Sequence, residues 1–119
     1  MTNVGGLSIH CVDVANGRVA VGLGVSLFRL GEAAPLMRGA INSKGLLDDP
    51  VLMSDAIGAG GYEVLFAVGD FYRSQNITLP TPAFLEEVPY RFHIADPAQH
   101  YHLPFKFTPW GFSLFRGGA

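Results

Sequence analysis

Apolar side chains recur at every second position through most of this chain, and glycine and proline break the pattern into short runs. In residues 19–27, Val19, Val21, Leu23, Val25 and Leu27 alternate with Ala20, Gly22, Gly24 and Ser26. Period two belongs to a strand that buries one face, because successive side chains point to opposite sides. The same alternation runs through Tyr62, Val64, Phe66 and Val68, and again through Val88, Tyr90, Phe92 and Ile94. In that last run Pro89, Arg91 and His93 fall on the outer face. Pro89 offers no N–H to a ladder, which predicts a sheet edge or a strand start. Leu7–Val14 reads as a further strand, closed by the Asn-Gly turn signal within Ala15–Arg18. Residues 100–108 turn through Pro109, Trp110 and Gly111 into Phe112–Arg116, a closing hairpin. No segment carries a long amphipathic helix; the best candidate is a short one within Asp70–Ile77. Residues 31–55 are the least regular and are expected to hold two shorter strands and loops. About seven or eight short strands at this spacing predict an all-β, antiparallel two-sheet sandwich, one domain over residues 1–119.

Composition narrows the function. Of 119 residues, 49% are apolar and only 15% charged, enough for a real core and a hint that other subunits cover some surface. The net charge of −2, with no basic block, removes the electrostatic source of phosphate-backbone binding, so no nucleic-acid partner is expected. No run approaches the ~18 apolar residues of a membrane helix, so no membrane partner is expected either. The first ten residues lack a charged and then apolar leader, which predicts a cytoplasmic protein. Cys11 is alone and reads as a small strand residue. No phosphate-binding glycine loop, G-x-S-x-G elbow, H-E-x-x-H or C-x-x-C is present. Glu86 and Glu87 are adjacent, would face opposite sides of a strand, and read as a solvated loop end.

The histidines are the residues with chemistry to offer. His100 and His102 lie two apart, on one face of a strand and roughly 7 Å from each other along it. Tyr101, Leu103, Phe105 and Phe107 take the opposite face. His10 sits in the first strand, on the face of Ser8 and Val12. Neutral imidazole relays protons near pH 7 and also binds metals. A metal needs three or four converging ligands, and spacing supplies no third, so no metal and no cofactor is expected. Spacing alone leaves open whether these are proton carriers or partly exposed strand histidines, and His93 is read as exposed.

Three stretches together resemble one family: "LSIHCVDVANGRVAVGLGVSLF" from residue 7, "FAVGDFYR" from residue 66, and "ADPAQHYHLPFKFTPWGFSLFRGG" from residue 95. The chain resembles the transthyretin-like proteins, and among them the 5-hydroxyisourate hydrolases, over nearly its whole length. The most specific part is "HYHLP" followed by P-x-G-[FY]-S-x-[FY]-R-G. The resemblance implies an eight-stranded two-sheet sandwich with one short helix, assembled as a homotetramer (a dimer of dimers). Its active sites would lie in the channel where dimers meet.

The same resemblance implies a hydrolase that opens a cyclic amide ring in purine breakdown, with a small cyclic molecule as substrate. The catalytic pair carried over is His10 and His102, with His102 drawing a proton from water and His10 orienting that water or serving the leaving nitrogen. His100 is expected to shape the strand end. The positions matched to the substrate-gripping groups are Leu46, Phe115, Arg116 and Gly118. Three of these depart from the pattern: "NSKGL" (residues 42–46) stands for N-x-D-G-R, and "FRGG" (115–118) for Y-R-G-S. Asn42, Gly45, Arg116 and Gly117 match. Loss of the arginine and two hydroxyls weighs against full activity on 5-hydroxyisourate and leaves a related, less polar cyclic substrate open; Lys44 and Arg38 are read as surface charges rather than as a stand-in cation. The alternative is a non-catalytic, transthyretin-like binder of small ligands, which Leu46 favours and the two histidines oppose; a vestigial regulatory paralogue is a third reading.

Overall fold

The structure, a computed structural model, describes residues 5–118. Eight strands form two four-stranded sheets. In chain order they are β1 (Leu7–Asp13), β2 (Arg18–Val19), β3 (Gly24–Arg29), β4 (Met37–Ala40), β5 (Gly60–Phe66), β6 (Val88–Ile94), β7 (Tyr101–Phe107) and β8 (Phe112–Leu114). One sheet runs β2-β1-β7-β8 and the other β4-β3-β5-β6. The alternation sorts the side chains as the period requires. Ile9 and Cys11 of β1 and Leu103, Phe105 and Phe107 of β7 meet Val25, Leu27, Tyr62, Val64 and Phe66 from the facing sheet. The Phe66 and Phe105 rings stack between the sheets, with centroids 3.8 Å apart. Burial pushes the Cys11 thiol well above its ordinary range, so it stays a protonated packing group.

Three features differ from the sequence expectation. The run 19–27 is not one strand: β2 ends at Val19 and β3 begins at Gly24, in the other sheet. Gly22 makes the change of sheet with φ +90°, its N–H donating to the Ile41 carbonyl. Val21 is consequently 48% exposed, while Ala20 and Leu23 are fully buried. Second, residues 31–55 hold one strand, β4, and a single 3-10 turn at Pro50–Met53, capped by Asp49 through Val51 N–H. Third, β1 and β7 pair in parallel, whereas the other five strand pairs are antiparallel. Pro89 does lie on an edge strand, β6, and Pro89, Arg91 and His93 face outward.

Helix α1 spans Val68–Ser74, two residues ahead of the expected segment. Its Tyr72 is buried and donates to Asp13 Oδ1 at 2.7 Å, and Asn16 Nδ2 donates to Oδ2 at 2.7 Å. Asp13 is the one fully buried charged residue among those described, and these bonds replace its water. Burial, then the bond to Asp13 and its charge, push the Tyr72 phenol well above its usual range. On the outer side Arg73 forks onto Glu86, whose carboxylate also accepts from Ala83 N–H at 2.7 Å. Glu86 therefore fastens the helix to the segment before β6 and is not merely a solvated loop end.

Candidate active site

The parallel pairing of β1 and β7 builds the site. Its register sets Ser8 opposite His102 and His10 opposite Pro104, so the outward faces of the two strands bring His10, Ser8 and His102 onto one patch. All three are half-buried. Leu46 arrives from the loop after β4 and makes an isolated antiparallel bridge to His10. Asn42 shapes that loop: its side-chain oxygen accepts from Lys44 and Leu46 N–H at 2.9 and 3.1 Å. Gly45 holds φ +81°, and a Cβ there would stand 2.7 Å from His10 Nε2. The loop thus lies flat against the His10 ring only because residue 45 has no side chain.

His102 is held from three sides. Ser8 Oγ lies 2.6 Å from its Nδ1 and 2.8 Å from His100 Nε2, while His100 Nδ1 lies 2.8 Å from the Gly5 carbonyl oxygen. Gly117 N–H donates to the His102 carbonyl at 2.7 Å, and a Cβ at Gly117 would come within 2.9 Å of the imidazole. Burial, then the neighbouring His10 and His100, lower the proton affinity of His102 below that of an ordinary imidazole. A neutral ring in water-accessible surroundings is the form a general base requires near pH 7. Ser8 also borders an open cavity of about 470 Å³, which Lys44, Leu46, Leu52, Asp48 and Asp49 line and His10 and His102 do not.

The remaining expected site residues are placed differently from one another. Arg116 stacks on Tyr101, its guanidinium carbon 3.8 Å from the ring centre, and donates to Gln99 Oε1 and the His100 carbonyl at 3.1 and 3.3 Å. Its charge is thereby engaged in holding the last residues against the start of β7. Phe115 and Gly118 are exposed beyond β8. Lys44 lines the same cavity as Ser8 and Leu46, whereas Arg38 belongs to β4 in the other sheet, over the Phe28 ring. Among the described residues no three His, Cys, Asp or Glu side chains converge where a metal would sit. Sequence reasoning missed the bonds of Ser8 and the close approach of Gly45. The signal for Ser8 was its place two residues before His10, which fixes a shared face but not a partner.

The chain is 45% identical over 119 residues to "5-hydroxyisourate hydrolase 2" of Rhizobium meliloti, covering 98% of this chain and 99% of that one. The crystal structure of (S)-allantoin synthase superposes with a TM-score of 0.88 at 32% identity, covering 96% of this chain and 44% of that one, so this chain spans under half its length. The structure of Klebsiella pneumoniae 5-hydroxyisourate hydrolase superposes with a TM-score of 0.79 at 30% identity, covering 96% and 99% of the two chains. A family model described as HIUase/Transthyretin matches residues 7–117, from the first residue of β1 to the glycine packed on His102, and the chain belongs to that family.

Proposed function

We propose that the protein is a hydrolase that opens a cyclic amide ring, acting on 5-hydroxyisourate or a less polar relative of it in purine breakdown. It works in the cytoplasm as a homotetramer, a dimer of dimers, with His10 and His102 as the catalytic pair. The observation that carries this reading is the meeting of His10 and His102 on adjacent strands, with His102 favouring its neutral form. The 5-hydroxyisourate hydrolases among its relatives support the substrate class.

In the reaction, His102 takes a proton from water as the oxygen bonds to the electrophilic ring carbon. The carbon–nitrogen bond breaks, the leaving nitrogen receives a proton from the neighbouring His10, and the proton held by His102 replaces it, so that one water is added in all and both rings return to their starting state. The cavity wall supports the choice between substrates. Leu46, Leu47, Leu52 and Met53 make much of it apolar, and Lys44, Asp48 and Asp49 bring charge to its lining. A substrate anion there meets one flexible ammonium and two carboxylates rather than a planar fork of donors, which favours the less polar substrate.

The test is turnover of freshly generated 5-hydroxyisourate by the wild type and by His102→Asn. Removing a positioned general base lowers kcat by ~10²–10⁴-fold, and undiminished turnover in the variant would rule out the two-histidine mechanism. The apolar wall around Leu46 favours a second reading, a binder of small aromatic ligands. Absence of wild-type turnover together with micromolar binding of such a ligand would select it.

A further inference from the structure

We infer that Ser8 and His100 are positioning residues that fix which nitrogen of His102 carries its proton. This inference deepens the proposed hydrolysis and rests on it for its kinetic consequence, though not for the proton's location. A backbone carbonyl can only accept. The Gly5 oxygen lies 2.8 Å from His100 Nδ1, so His100 carries its proton there. In the neutral ring Nε2 then has a lone pair, and Ser8 Oγ, 2.8 Å away, donates its single proton to it. Only lone pairs remain on Oγ to face His102 Nδ1 at 2.6 Å, so His102 donates from Nδ1. Its Nε2 is left bare, with a lone pair for the proton of the attacking water.

Each direction follows from the one before, and the fold supplies the parts. Gly5 and His100 stand just ahead of β1 and β7, Tyr101 N–H donates to the Gly6 carbonyl at 3.0 Å, and the parallel register sets Ser8 against His102. The arrangement also holds the charged ring that forms during catalysis, since Ser8 Oγ accepts from Nδ1–H in both protonation states of His102. A serine one strand away thus acts through histidine rather than on substrate.

The experiment reads the imidazole nitrogens of the full-length protein at neutral pH by ¹⁵N–¹H correlation, alongside steady-state kinetics with 5-hydroxyisourate. The wild type should have His102 protonated at Nδ1 and bare at Nε2. Ser8→Ala should release that preference and lower kcat by ~10–100-fold, part of what a positioned base contributes, with KM changed less than about twofold. Ser8→Thr, which keeps the hydroxyl, should restore both. His100→Phe removes the acceptor, lets the Ser8 proton turn to His102 Nδ1, and should move the His102 proton to Nε2. A wild-type His102 protonated at Nε2, or a Ser8→Ala protein whose His102 proton and kcat are unchanged, overturns the inference. The expected nitrogen pattern without any turnover would instead leave the hydrogen-bond chain standing and remove the hydrolase reading.

Discussion

Replacing Leu46 with arginine asks what the apolar residue beside His10 costs a hydrolase. The two residues pair across an antiparallel bridge, and directly opposite side chains of such a pair have Cβ atoms ~4.5–5.5 Å apart. Leu46 is 36% exposed and lines a cavity of about 470 Å³, so a guanidinium has room to extend over the patch that holds His10. A charge-assisted contact to an anionic substrate group contributes ~1.5–3 kcal/mol. Made in the transition state, that raises kcat/KM roughly 10- to 150-fold. The fold should barely register the change, since a surface substitution of this kind shifts stability by about 0.5 kcal/mol or less. The assay compares kcat/KM on 5-hydroxyisourate for wild type, Leu46→Arg and the neutral control Leu46→Gln, with thermal melts of all three. The glutamine variant should gain far less than the arginine variant. If Leu46→Arg melts like the wild type and its kcat/KM stays within twofold, the substrate's anionic group does not pass residue 46. The account of that departure from the family pattern would then be wrong.

Two further outcomes concern stability. Tyr72→Phe leaves buried Asp13 without its phenol donor and should cost ~1.5–3 kcal/mol, the range for a hydrogen bond to a charged group; urea titrations at fixed protein concentration measure it, and an unchanged midpoint would refute the role given to that bond. His102 binds a proton less readily folded than unfolded, so it carries no stability penalty above the unfolded value near ~6.5 and an increasing one as pH falls from there toward the lower folded value. The difference in unfolding free energy between pH 7.5 and 5.5 should therefore shrink in His102→Asn, and a difference as large as in the wild type would contradict that assignment.

Much of the fold was legible because alternation is a local property. Tyr62, Val64 and Phe66 could be assigned to one buried face from their spacing, and so could Leu103, Phe105 and Phe107. What escaped was whatever depends on distant partners. The change of sheet at Gly22 hides inside an unbroken period-two run, because a glycine at positive φ and a glycine within a strand look alike in sequence. The parallel pairing of β1 with β7 is set by the whole topology, yet it is what turns Ser8 from an anonymous strand residue into the partner of two histidines. Residue 46 could be matched to a family position, but its bridge to His10 depends on the loop turning at Gly45. Arg116 shows the converse: a matched position whose guanidinium is occupied in stacking on Tyr101.

Ser8 and His102, bonded to each other, are separated by 94 positions along the polypeptide. Contacts of such long range are among the slowest to form, because the entropy of closing a large loop comes before any reward from the contact. On the ribosome the first strand therefore waits, with its neighbouring edge unpaired, until the seventh strand has emerged. No truncated nascent fragment lacking the seventh strand can hold the histidine pair. Any ring-opening power would thus arise late and abruptly in the protein's life, with the docking of that strand.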